Sequence, residues 1–365
     1  MADPVDNSKI ITPYLPSLSH IATVSAASQL FNGFDFETLK MVFTEIEHGN
    51  STARNEGSEE NGDGNYKRAK EYLLFLPRYL RKRVMGAAQN MQYAVLDWRE
   101  RLDIFDSRIG DCTFYWRSDG IIDKTKTVER VVLNKNIDIR ERFNLACLYC
   151  LVDSMRTLWA EAEEDAEGAD LEIYEIFPWT QFWIRWLWGG SHIPWDQAAL
   201  ECDEFHLFEN PFQRISFIFP LLLPEERKHV LLCLRNADFD DLLFCLYAAT
   251  KEEEEQILRR NTEEVLMIYL YTWPLQSLFL ETAEKVWNYI NPDSFRSVLL
   301  AILLLRQRKE IDFIYYEIFE GFWNRSPDNF RTHAREFCGP EIDLCFNEIK
   351  EKRNTNEQAQ SHRKV

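Results

Sequence analysis

Four groups of residues in this chain have types and spacings from which chemistry is ordinarily built. Cys147-Leu-Tyr-Cys150 is a C-x-x-C, the pattern of half a structural zinc site or of a redox pair. The first use needs a second ligand pair close in space, and the second a thioredoxin-like βαβ context. Neither shows, so the two thiols read as small apolar fillers of a tight packing. Cys202 and His206 lie four apart with Asp203 and Glu204 between them, one face of a helix. A metal needs one or two more ligands, and no neighbouring stretch supplies them at a matching spacing. Glu59-x-Asn61-x-Asp63-Gly64 opens like a calcium loop, but its twelfth position, where a bidentate acid belongs, is Lys70. Gly189-Gly190-Ser191-His192 sets a serine beside a histidine. Sequence neighbours rarely present nucleophile and base to each other, and this reads as a turn. G-x-S-x-G, H-E-x-x-H and a phosphate-binding glycine loop with lysine are all missing. No catalytic, cofactor-binding or metal-ligating set is therefore assigned, and no cofactor is expected.

What remains is surface chemistry. Trp179, Trp183 and Trp186 recur at spacings of four and three, and Trp188 and Trp195 follow. A stripe of this kind is core, a set of aromatic anchors for a partner, or an interfacial membrane anchor, which the low local basic charge disfavours. These five tryptophans are the candidate interaction residues. A second feature is basic: Lys67, Arg68, Lys70, Arg78, Arg81, Lys82 and Arg83 stand against Glu71 alone. That run is either the solvated face of two helices or a docking patch for an acidic partner.

The whole chain restricts the function classes further. Its net charge of −18 repels phosphate backbones, so nucleic acid is not an expected partner. Glycine, at 13 of 365 residues, is scarce for a nucleotide-binding α/β fold. Aromatics make up 14%, which predicts a ring-rich core. The longest aliphatic run, Val298 to Leu305, falls far short of the roughly 20 residues of a membrane span. The start, MADPVDNSKIITPYLP, has no apolar h-region. An intracellular, cytoplasmic protein without a membrane segment is expected, with its 8 cysteines reduced.

The elements that must position these residues read as helices. Residues 1–9 and 353–365 are expected to be disordered, and residues 49–65 to form a flexible acidic loop. A short helical segment, 10–48, precedes that loop, and a helical-hairpin body, 66–352, follows it. Pro77 opens a helix through Leu80, Val84, Ala87 and Ala88. Residues 127–133 and 112–116 are the only doubtful extended pieces. Phe143–Trp159 and Val230–Leu246 each read as helix, short turn, helix, and residues 302–318 as a weaker third case. Small residues in the first helix, such as Ala146, Cys147 and Cys233, allow close packing.

Three resemblances follow from these stretches. Leu232-Cys233-Leu234-Arg235-Asn236-Ala237-Asp238-Phe239-Asp240 resembles an ankyrin unit, as does Leu145-Ala146-Cys147 and, faintly, Glu310-Ile311-Asp312. The hairpins begin at Phe143, Val230 and Ile302, far wider than an ankyrin period of about 33. No T-P-L-H turn opens them, and Cys150 and Ala237 stand where the turn glycine belongs. RERFNLACLYCLVDSMRTLW and FWIRWLWGGSHIPW are similar to a group of arthropod all-helical proteins, which implies a helical fold and no known function. Ser17-Leu18-Ser19-His20-Ile21 followed by Leu76-Pro77-Arg78-Tyr79-Leu80 resembles a SOCS-type box, an elongin-binding helix followed by a cullin-directed L-P segment. The cysteine usual in that helix is lacking here, and the box would lie at the wrong end of the chain.

The expectation is an all-α protein, an irregular stack of helical hairpins of α-solenoid or degenerate ankyrin-like kind. Its expected function is a non-enzymatic protein-protein interaction scaffold. The alternatives are a substrate-recruiting ubiquitin-ligase adaptor acting through the SOCS-like segment, and an enzyme whose site follows no motif.

Overall fold

Apolar residues at spacings of three and four, with capping side chains ahead of them, make most of the described residues helical. The computed structural model describes residues 9–48, 60–101, 112–164, 178–189, 214–307 and 314–362. The fold is all-α: among these residues the only β feature is an isolated antiparallel bridge between Trp116 and Ile122. No helix among them is long and apolar enough to cross a membrane. The chain forms two units, an N-terminal one of Tyr14–Leu207 and a C-terminal one of Met1–Pro13 with Phe208–Val365.

The N-terminal unit contains α1 (Leu18–Gly33), α2 (Phe36–His48), α3 (Glu60–Phe75), α4 (Arg78–Arg101), α5 (Lys124–Val132), α6 (Ile139–Leu148), α7 (Val152–Glu164) and α8 (Pro178–Trp188). α1 packs along α4 and α2 along α3. Ser17 caps α1 by accepting from the His20 amide at 3.2 Å. Asp123 and Asp138 cap α5 and α6 in the same way. The doubtful extended piece at 127–133 is mostly helix α5. Thr127, Val128, Val131 and Val132 are its buried face, so packing outweighs the strand preference of β-branched residues. The expected loop is also shorter than 49–65, because α3 already begins at Glu60. Lys70 and Tyr66 both bond Glu45 on α2, the former at 2.9 Å, and this anchors the helix.

The turn joining α6 to α7 explains one sequence feature directly. Cys150 has φ 54°, the left-handed conformation that glycine supplies at low cost. The Leu151 amide bonds the Ala146 carbonyl at 2.9 Å and the Cys150 amide bonds that of Cys147 at 3.1 Å. These are the two bonds of a Schellman motif. A β-branched side chain is strained at such a φ. Cys150→Val, although similar in size, should therefore lower unfolding stability by about 2 kcal/mol. Cys150→Gly should change it far less. Urea midpoints at constant slope would check both. The hairpin at 230–246 turns differently. A 3₁₀ turn at Leu234–Asn236 leads to Asp238, which caps the next helix through the Asp240 amide at 2.9 Å.

The C-terminal unit contains α9 (Ile215–Ile218), α10 (Pro224–Cys233), α11 (Phe239–Ala248), α12 (Lys251–Tyr271), α13 (Phe279–Val286), α14 (Pro292–Gln307), α15 (Ile314–Arg325) and α16 (Asp328–His362). α12 starts at a capping box between Thr250 and Glu253 and kinks at Asn261. α16 kinks at Cys338, just before Gly339-Pro340, and continues to His362. The expected disordered tail is thus helical up to that residue; the stretch Asn354–His362 contains neither Gly nor Pro to stop it. α14 is the central element and packs against α12, α15 and α16. Its Phe295 is fully buried and stacks on Phe322 with ring centroids 4.8 Å apart. Trp287 and Phe330 close the same cluster.

Two buried carboxylates tie this unit to segments outside its long helices. Asp241, in the first turn of α11, accepts from Arg214 Nε and from the Ile215 and Ser216 amides, each at 3.2 Å. Glu254, in the first turn of α12, accepts from the Ile10 amide at 3.0 Å and the Ile11 amide at 2.6 Å. Each carboxylate satisfies backbone donors that would otherwise be buried without a partner.

Candidate interaction surface

The tryptophan stripe divides between core and surface. α8 seats itself on α6 through polar bonds inside an apolar contact. Trp183 Nε1 donates to the Cys147 carbonyl at 3.1 Å, and Thr180 Oγ1 donates to Asn144 Oδ1 at 2.8 Å. The Trp183 ring lies edge-on to Phe182 and Trp186 at 4.9 and 5.8 Å, and the Arg156 guanidinium sits 5.0 Å over Trp186. Trp183 and Trp186 are buried, so these two candidate partner anchors are core residues instead. A helical stripe of rings buries more area against a neighbouring helix than in water, and α6 supplies that neighbour. Trp188, 66% exposed, is the one tryptophan of the five shown at the surface. Trp179 is in α8, but its side chain lies outside the described residues, as does Trp195.

Of the other groups with chemical spacing, Cys147 and Cys150 are buried beside each other. Burial pushes the Cys147 thiol well up, and the neighbouring Cys150 adds to this. Such a thiol is a poor nucleophile and a poor metal ligand. Cys202, His206 and residues 190–192 lie outside the described residues. No cluster of three or more His, Cys, Asp or Glu able to hold a metal occurs among the described ones. A shallow hollow of about 310 Å³ is lined by Trp323, Asp328, Arg331, Thr332 and Arg335. Its cations are engaged within the fold. Arg331 donates to the Trp323 and Ser326 carbonyls, and Arg335 lies 5.4 Å over Trp323 and reaches Asp343 at 3.4 Å.

The basic run forms a distinct corner where α3 meets α4. Ala69, Leu73, Val84 and Met85 face inward and fix the two helices. Arg81 then closes the turn. Its guanidinium donates to the carbonyls of Leu73 at 2.9 Å, Leu76 at 3.1 Å and Leu74 at 3.2 Å, the open acceptors at the end of α3. With the turn held this way, Phe75 and Tyr79 project outward, 89% and 77% exposed. Arg78, Lys82 and Arg83 are exposed around them. No carboxylate among the described residues pairs with these three. The first turn of α4 carries no acid, so its positive dipole end meets further positive charge.

The start of α1 lies beside this corner, since Arg83 Nη1 donates to Ser19 Oγ at 3.2 Å. Leu15 and Leu18 are exposed there. Of the stretches Ser17–Ile21 and Leu76–Leu80, which carry the SOCS-type resemblance and are more than fifty positions apart, the first thus lies against Arg83, one turn beyond the second. Phe75 and Tyr79 were not among the candidates drawn from the sequence. A signal was present: two rings four apart across a Leu-Pro helix start, inside a basic run. Comparison with known proteins found no matching family model, no similar curated protein and no similar solved structure.

Proposed function

We propose that this chain is a non-enzymatic protein-interaction scaffold, a stack of helical hairpins whose docking edge is the corner where α3 meets α4, beside the start of α1. One observation carries the reading. Phe75 and Tyr79 stand in water amid Arg78, Lys82 and Arg83, at a helix N-terminus that holds no acid. Exposed rings cost hydration free energy, and cations at the positive end of a helix oppose its dipole. A partner segment carrying carboxylates beside apolar side chains relieves both. Aromatic and arginine side chains are also those that dominate binding energy when a partner covers them. Within a chain of net charge −18, this corner is locally basic.

A second reading, the ubiquitin-ligase adaptor, is favoured by one specific fact. Ser19 of the first stretch similar to a SOCS-type box accepts from Arg83, one turn beyond the second, and Leu18 is exposed.

One experiment addresses both readings. The intact chain and a Phe75→Ser/Tyr79→Ser variant would be purified from native cells with their partners, and the partners identified by mass spectrometry. Both substitutions are at exposed sites, so the melting temperature should stay within about 2 °C of the unaltered chain. The scaffold reading expects a partner with an acidic apolar segment to be recovered with the intact chain and lost from the variant. Elongin and cullin recovered with the intact chain would make the adaptor reading the better one. The same partners in equal amount from both proteins would remove the corner from the account.

A further inference from the structure

We propose that the cleft between the last turn of α11 and the first turn of α12 is a binding site for an extended peptide of the pattern lysine, any residue, β-branched aliphatic, and that residues 9–11 occupy it in cis as a displaceable latch. Three contacts define the site. The Glu254 carboxylate is fully buried and takes two consecutive main-chain amides, those of Ile10 and Ile11. Amide donors to a carboxylate form strong, charge-assisted bonds that any extended peptide can make. Ile11 is 1% exposed and supplies the apolar anchor. Lys9 Nζ donates to the Tyr247 carbonyl in the last turn of α11, where the helix dipole favours a cation.

The latch is a short irregular segment. Residues 9–13 form no helix, and Thr12 and Pro13 are exposed. A short segment of this kind opens locally at a lower free energy than its whole unit. Opening leaves a buried carboxylate without its two donors, which is unfavourable. The vacated cleft therefore favours refilling, by its own latch or by a competing peptide with the same pattern. This site is independent of the α3–α4 corner, so the failure of either leaves the other standing.

The test uses the full-length chain with Ile11→Asp, which puts a charge into the apolar anchor site and frees the cleft. The probe is a fluorescein-labelled peptide of residues 7–14, NSKIITPY. Fluorescence anisotropy should show saturable binding to this variant. Binding to the unaltered chain should be about 10- to 100-fold weaker, because its own latch competes at millimolar effective concentration. A probe peptide with the same Ile→Asp change should bind at least about tenfold more weakly, and so should the labelled peptide to a chain carrying Ile11→Asp with Glu254→Gln. A folded Ile11→Asp chain that does not bind the probe would overturn the proposal. If that variant does not fold, hydrogen exchange of the unaltered chain decides. The Ile10 and Ile11 amides should then exchange about 100-fold faster than the slowest amides of α12. Equal rates would mean that the segment opens only with the whole unit, and would overturn the proposal as well.

Discussion

Replacing Trp183 by alanine is expected to lower the stability of the N-terminal unit by about 3–5 kcal/mol, the usual cost of deleting a large buried ring. The side chain is 4% exposed, contacts two other rings and donates to the Cys147 carbonyl. The substitution opens a cavity between α8 and α6 and also removes the donor from that carbonyl. Trp188→Ala, at an exposed position on the same helix, should stay within about 0.5 kcal/mol of the unaltered chain. Urea unfolding followed by far-UV circular dichroism measures both. A Trp183→Ala protein as stable as Trp188→Ala would restore the stripe as a surface feature and contradict its place in the core.

The second large effect is expected at Asp241. Asp241→Ala removes the carboxylate from its pair with Arg214 and leaves the Ile215 and Ser216 amides facing an apolar gap. Breaking a buried pair from one side costs about 3–5 kcal/mol, because the remaining charge has no water to replace its partner. Burial also raises the carboxyl pKa of Asp241 above its ordinary value; the positive charge of Arg214 offsets part of that rise. The folded state then holds the proton more tightly than the unfolded chain does. Its contribution to stability is complete below the unfolded pKa, near 3.9, and is lost as pH rises through the folded pKa. Asp241→Asn, which does not titrate, should lack that decline. Denaturant titrations at a series of pH values for the two proteins would check the difference. A Asp241→Ala protein within 1 kcal/mol of the unaltered chain would show that the pair does not anchor residues 214–216.

Much of the helical frame could be read from local sequence because local physics decides it. The hairpin at Phe143–Trp159 was legible from small residues and a short turn, and Cys150 marked the glycine-like position before its φ was known. Pro77 marked the start of α4 for the same reason: a residue without an amide donor costs little where no helical bond is required. The β-branched run of α5 was harder, because its strand preference is local while its burial is tertiary.

The carboxylate sites were least legible. Glu254 sits in the run Lys251–Glu255, which looks fully solvated. Its partners Ile10 and Ile11 lie more than 240 positions earlier, and no local pattern joins them. One signal was nevertheless present. Glu254 falls in register with the buried residues Ile257, Leu258, Asn261, Thr262 and Val265, at the offsets of one helix face. An acid in the apolar register of a helix predicts a buried carboxylate that needs donors, and here the donors are main-chain amides. The corner at Phe75 and Tyr79 was half legible. Its charges stood out as a run, but ring exposure depends on how Arg81 closes the turn.

The measurement that most directly tests the scaffold account is site-specific photocrosslinking in native cells. A benzophenone amino acid would replace Tyr79 at the corner or, as a control, the exposed Leu304 of α14. The account predicts covalent adducts from position 79 to a partner segment rich in Asp, Glu and apolar residues, with none from position 304. Absence of adducts at position 79, or the same adducts from both positions, would contradict a docking function for the α3–α4 corner.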